Sequence, residues 1–280
     1  MATKKATTRR WWIPLSSLFL AGAIIGGCLL SQQASQPATQ PAPATRSIGA
    51  YSQYIFGGLP KTSQELKLLR NTGYIVGYSE NHKDPAWVAY RLFKVADAPA
   101  LPRPKVFSVD PRTDAKVKQA DYVNSGFDRG HMAPNHAIAT RYGEEAQLQT
   151  FLMSNICPQK PKLNRKVWEK LEAIEADDYA NRFEEVWIID GPIFDEQPDK
   201  LAAGVDVPKA FFKIIVDEVN GKPRMLGFIM PQGVKGDENP KMFLTSVKSI
   251  EDQTGLDFFT DLPKDEEDKL EAEVPQEMWQ

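Results

Sequence analysis

The apolar and polar positions of this chain fall into three regimes. Trp11 to Leu30 contains no charged residue, and about twenty apolar or small residues suffice to cross a bilayer as a helix. Ser31 to Arg46 is rich in Pro, Ala and Gln and almost free of large apolar side chains. Such a segment cannot build a core and reads as an extended, semi-rigid tether. From Ser47 the patterns of a folded domain begin. Leu66, Leu68 and Leu69 predict a helix over 63–71 that ends before Gly73. Tyr74 to Tyr78 predicts a short strand, and polar Ser79 to Pro85, with its Asp-Pro step, predicts a turn.

From Trp87 to Val95 the residues alternate, with Val88, Tyr90 and Leu92 on one face and Trp87, Ala89, Arg91 and Phe93 on the other; this predicts a strand. Val186 to Ile189 is a continuous apolar run, typical of a strand covered on both faces, with Gly191-Pro192 expected to end it. Ala210 to Val216 and Met225 to Pro231 predict two more strands, joined through Asn220-Gly221, both of which tolerate positive φ. Pro240 to Thr254 predicts one helix, with Phe243, Leu244, Val247 and Ile250 on one face, stopped by Gly255. Leu256 to Phe259 then packs down, and the charged chain from Pro263 is expected to be mobile.

Composition changes this picture in a few places. A chain of 280 residues, 42% hydrophobic and 25% charged, holds one large domain or two small ones around a sizeable core. The formal net charge of −3 does not by itself point to a polyanionic partner. The charge is uneven, however: residues 261–280 hold eight acids against two lysines. Residues 151–170 are net +4, through Lys160, Lys162, Arg165, Lys166 and Lys170 against Glu169. Any attraction for a polyanion is therefore local. The two cysteines, Cys28 and Cys157, exclude a four-cysteine zinc site. With only His82, His131 and His136, a multi-histidine metal cage is not expected.

Lys4, Lys5, Arg9 and Arg10 precede the apolar run and would keep the N-terminus in the cytoplasm. Three readings of the run stay open: an uncleaved signal anchor, a lipoprotein signal at Ile25-Gly26-Gly27-Cys28, and a cleaved signal peptide. The chain thus divides into a signal or anchor at 1–30, a linker at 31–46, a folded domain at 47–262 and an acidic tail at 263–280.

The chemistry concentrates between Asp128 and Glu172. His131, with an ordinary pKa near about 6.5, suits proton abstraction from water. It lies within the polar, turn-rich Asp128-Arg129-Gly130-His131-Met132-Ala133-Pro134-Asn135, where Gly130 allows an unusual backbone angle or a close approach. Arg129 carries a guanidinium that binds phosphate oxygens bidentately, or pairs with an acid such as Asp128, which itself reads as structural. Asn164 opens an expected helix bearing Val167, Trp168, Leu171 and Ile174, where it is either an N-cap or an oxygen ligand to Mg²⁺. Glu172, two turns on, is either a surface acid or a holder of metal-bound water.

These words resemble the DNA/RNA non-specific endonucleases of the ββα-metal, or His-Me finger, group. The resemblance is carried by Asp128 to Pro134, Ser154-Asn155-Ile156-Cys157-Pro158-Gln159, and Leu163-Asn164 with Trp168 and Leu171-Glu172. Trp87-Val88-Ala89-Tyr90, Asp190-Gly191-Pro192 and Thr254 to Phe259 support it, so that about residues 70–260 are covered in the family's order. The resemblance implies a mixed α+β fold with a mainly antiparallel central sheet flanked by helices, the site lying on a ββα-metal motif. It implies that His131 is the general base, that Asn164 is the direct ligand of Mg²⁺ (with Mn²⁺ as a substitute), and that Glu172 holds the metal's water. Arg129 stabilises the phosphate, Asn155 supports His131 or the metal site, and Arg103, ahead of Phe107 and Asp110-Pro111, contacts the transition state.

The implied substrates are DNA and RNA, held through the phosphate backbone. A homodimer and an inhibitor protein are further partners that this reading allows. With the membrane contact at 11–30, the expected location is a bacterial cell envelope with the nuclease domain outside the cytoplasm; secretion or a mitochondrial location is the alternative. Two other functions compete: a tethered nucleic-acid-binding module with an inactive site, and a phosphodiesterase of small substrates.

Overall fold

The computed structural model describes residues 53–96 and 101–280. The expectations for the apolar run, Cys28 and the tether lie outside these residues. Among the described residues, no helix is long and apolar enough to cross a membrane.

The strands are β1 (Lys67–Asn71), β2 (Tyr74–Ser79), β3 (Asp84–Phe93), β4 (Asp128–His131), β5 (Ile156–Gln159), β6 (Glu185–Ile193), β7 (Ala210–Val219), β8 (Lys222–Pro231) and β9 (Leu244–Thr245). Seven of them form one antiparallel sheet in the order β1-β2-β3-β6-β7-β8-β9. Successive side chains of a strand point to opposite faces, so the alternation seen in the sequence sorts the core into two layers. One layer takes Val88, Tyr90 and Leu92 of β3 with Ile188, Phe211 and Phe228. The other takes Trp87, Ala89, Ile189, Phe212 and Ile214, covered by Phe258 and Phe259. The β7–β8 hairpin turns at Asn220-Gly221, with φ of 53° and 73°, the two left-handed residues such a turn requires.

β4 and β5 make a separate antiparallel ribbon, with Asp128 opposite Gln159 and His131 opposite Ile156. Helix α1 (Asn135–Thr150) lies between them in the chain, and it is broken at Gly143, whose φ is 87°. After β5 the chain is helical from 161 to 182, with π-helical turns at Leu163–Trp168 and Ile174–Tyr179. This site helix buries Leu163, Val167, Trp168 and Leu171 in the first core layer. The fold is therefore the mixed α+β class that was expected, with a ββα unit of β4, β5 and the site helix.

Four local expectations are corrected. Residues 63–71 are not helical; Lys67–Asn71 pairs with β2, and Leu69 and Asn71 face inward on either side of exposed Arg70. Three closely spaced leucines fit a short strand as well as a helical turn. Gly191-Pro192 does not end β6. Beyond Asp190 the β3 side of the strand carries no pairing, so a proline without an N–H is accommodated. Pro240 to Thr254 is not one helix: a turn of 3₁₀ helix at Pro240–Phe243 leads into β9, and an α-helix starts afresh at Val247–Thr254. Asn239 and Ser246 each accept a backbone N–H and act as two separate caps.

Finally, the acidic C-terminal stretch is folded. Lys264–Ala272 is a helix with Asp265, Glu266 and Glu267 in its first turn, where acids favour the helix dipole. Beyond it Trp279 stacks near Tyr179, Phe183 and the Arg224 guanidinium.

Gly191 matters for a steric reason: a Cβ there would lie 2.5 Å from the backbone oxygen of Ala86. Backbone cannot step aside, so Gly191→Ala should lower the unfolding free energy by about 1–3 kcal/mol. Urea denaturation reads this directly; an unchanged midpoint would show that β3 and β6 approach less closely.

Candidate active site

The local packing of β4 determines where His131 points. Met132 donates its N–H to the Asn155 carbonyl at 3.0 Å. The Asn155 side chain accepts from Ala133 N at 2.9 Å and donates to the oxygens of Ala133 and Thr150, each at 3.0 Å. Asn155 is wholly buried and does not line the cleft; it fixes the chain as it leaves His131. Gly130 is needed for close approach rather than for an unusual angle. A Cβ there would lie 2.0 Å from the Gln159 side-chain oxygen across the ribbon.

His131 is 7% exposed, and its Nε2 is buried without a hydrogen-bond partner among the described residues. Its ring sits between Phe107, at 5.3 Å, and Phe151, at 4.8 Å. Burial, with the nearby charge of Arg103 adding to it, pushes the imidazole pKa down to about 3. The ring is consequently neutral throughout the neutral range, with its acceptor lone pair unprotonated.

Asp128, at the other end of β4, accepts from Asn164 Nδ2 at 3.0 Å and from Arg165 Nε at 2.7 Å. Burial works against its charge, but the bonds from Arg165 and Asn164 outweigh it and hold the carboxyl below its usual range. Asn164 is not a helix cap. Its own N–H is already bonded to the Lys160 carbonyl, and its side-chain nitrogen goes to Asp128. With the nitrogen committed, the carboxamide oxygen has no protein partner among the described residues and is available as a ligand. Arg129 does not pair with Asp128; it donates to the Gln119 carbonyl at 2.7 and 3.2 Å and lies over Tyr122. Arg165, counted in the basic strip, is spent on Asp128.

These residues line one cleft of about 680 Å³: Arg103, Arg129, His131, Asn164 and Glu172 all border it. Of the six site residues named from the sequence, five are brought together and Asn155 stands behind them. Glu172 is half-buried. Burial pushes its carboxyl up to about 8; Lys213 resists this, and Glu175 and Asp190 add to it. Among the described residues, no group of three His, Cys, Asp or Glu side chains could hold a metal. What the cleft offers is a carboxamide oxygen and a carboxyl group, and once the carboxyl gives up its proton these are hard donors that fit a cation retaining most of its water. Sequence reasoning missed the aromatic walls Phe107 and Phe151, for which nothing local gives a signal. It also missed the buried Lys213, whose signal is a lone charge inside the apolar run Ala210 to Val216.

Comparison with known proteins matches this architecture. A family model described as DNA/RNA non-specific endonuclease matches residues 58–265. Mitochondrial endonuclease G of Bos taurus is 30% identical over 243 residues, covering 80% of this chain and 78% of that protein. Mitochondrial nuclease EXOG of Xenopus laevis is 28% identical, covering 91% of this chain and 76% of its own length. A nuclease of Nostoc is 26% identical, covering 90% and 94%. The crystal structure of the EndoG/EndoGI complex superposes with a TM-score of 0.67 at 27% identity, covering 75% of this chain and 91% of that one.

The raised Glu172 pKa carries a pH-dependent consequence. Below about pH 4.5 both folded and unfolded chains hold this proton; as pH rises toward about 8 only the folded chain keeps it, so stability is progressively lost. In EDTA, Glu172→Gln should therefore gain stability over the unsubstituted chain at pH 8 and gain little at pH 5. Urea unfolding at the two pH values checks this; an equal gap at both would remove the burial argument.

Proposed function

The chain belongs to the DNA/RNA non-specific endonuclease family, and on that footing we propose that it is a Mg²⁺-dependent endonuclease cleaving DNA and RNA without regard to sequence, with His131 as general base. The observation that supports this best is a buried, neutral imidazole lining the same cleft as two arginines and the oxygen donors Asn164 and Glu172.

Neutral His131 takes a proton from the attacking water. Its position is held from behind by Asn155, and its rings of contact, Phe107 and Phe151, exclude bulk water. Arg129 and Arg103 face the negative charge that grows on the phosphate. Asn164 would hold the ion directly and Glu172 through water; the bound ion offsets charge on the phosphate and leaving oxygens. Mn²⁺ would substitute in the same site. Lys160, Lys162, Lys166 and Lys170 stay exposed beside the cleft and suit a sequence-blind grip on phosphates. In the same reading residues 11–30 hold the domain to a bacterial envelope membrane, outside the cytoplasm. The EndoG/EndoGI complex supports adding an inhibitor protein to the partners.

The decisive assay is nicking of supercoiled plasmid by residues 47–280, with Mg²⁺ or with EDTA. Nicking should require the metal. His131→Ala should cut at least about a hundredfold more slowly, and near-normal cleavage by that variant would remove His131 as the base. Asn164→Ala should lose rate together with its response to metal. A fall in rate with an unchanged Mg²⁺ titration would instead leave Asn164 a merely structural role.

A further inference from the structure

Directly beneath the site helix lies a charged cluster that the proposed reaction does not use. Lys213 of β7 is fully buried, opposite Asp190 of β6 in the sheet register. Its ammonium lies 3.0 Å from Asp190 Oδ2 and 3.1 Å from Glu175 Oε1, and it donates to the Tyr90 hydroxyl at 3.0 Å. Tyr90 in turn donates to Glu175 Oε2 at 3.0 Å. Three strands of the sheet are thus tied to one residue of the site helix. Glu175 follows Glu172 by three positions, so the two carboxylates share one turn, Glu175 directed at the sheet and Glu172 at the cleft.

Trp168 completes the arrangement. Its ring lies 4.4 Å from the Lys213 ammonium. The ammonium on the sheet thus holds two side chains of the site helix, Glu175 by charge and Trp168 through its ring face. Fold stability alone does not call for such a group. Apolar side chains of the same volume generally hold a helix on a sheet as well as buried ions do.

We infer that Lys213 is a positioning residue for the active site: by tying Glu175 to Asp190 it sets the rotation of the helix that presents Asn164 and Glu172 to the cleft. This rests on the reading of the cleft as a cation-dependent site. Supporting residues of this kind orient ligands without touching the ion or the substrate.

The test uses the full chain without substrate, titrated with Mg²⁺ in a calorimeter. In the triple variant Lys213→Met, Glu175→Gln, Asp190→Asn the cluster keeps its volume and loses its charges. Its Mg²⁺ affinity should fall by at least about tenfold, while its near-ultraviolet circular dichroism stays that of the folded protein and KM for plasmid changes little against kcat. Unchanged Mg²⁺ affinity in the folded triple variant overturns the inference. Should the triple variant not fold, Glu175→Gln alone decides: weaker Mg²⁺ binding supports the tie, and unchanged binding overturns it. Asn164→Ala, run alongside, separates the two levels. If it binds Mg²⁺ like the unsubstituted chain, the cation reading of the cleft fails; if it loses binding and the cluster variants do not, only the role of Lys213 fails.

Discussion

The carboxylate of Asp128 holds the two halves of the site together. It begins the strand that ends in His131, and it accepts from Asn164 and Arg165 on the site helix. Charge-assisted bonds of this kind are short and directional, so one side chain sets the spacing between the strand that carries His131 and the helix that carries Asn164. Everything nearby serves that span. The β4–β5 register places Asp128 and His131 along one edge, Asn155 pins the exit from the strand, and buried Leu163, Val167, Trp168 and Leu171 seat the helix. The bond also turns the Asn164 amide so that its oxygen, rather than its nitrogen, is left available.

The cleft is electrostatically divided. Arg103 and Arg129 border it together with Asp128, Glu169, Glu172 and Asp177, so it is not a simple basic groove. Charges of both signs are thus gathered in one cleft of a chain whose formal net charge is only −3. The acid-rich helix Lys264–Ala272 packs against the helix Val247–Thr254, on the layer across the sheet from the site helix. Its negative charge is kept away from the cleft by the thickness of the sheet.

How much of this was legible depended on how local each cause was. The faces of β3, the hairpin at Asn220-Gly221 and the stop at Gly255 follow from neighbours within a few residues, and they appear as expected. The residues that meet in the cleft could be named in advance because Asp128 to Pro134 and Asn164 to Glu172 each form compact words. What failed lay in short or nonlocal determinants. Lys67–Asn71 is a strand because β2 is there to pair with it. Leu244–Thr245 leaves the expected helix because β8 offers an edge at Gly227 and Phe228. Lys213 finds its partners at 90, 175 and 190, a separation no local pattern announces. Local pattern left Asn164 open between cap and ligand, and its bonds to the Lys160 carbonyl and to distant Asp128 remove the cap.

The packing around His131 carries one more consequence. Among the described residues no carboxylate pairs with its ring; two phenylalanines wall it in, themselves 4.9 Å apart. Its basicity is thus governed by how completely hydrocarbon excludes water, a property that changes with the volume of a side chain. Ordinary apolar drift at Phe107 or Phe151 would then shift the proton affinity of this imidazole while every polar group lining the cleft stays in place. Here the acidity of a side chain is a packing problem.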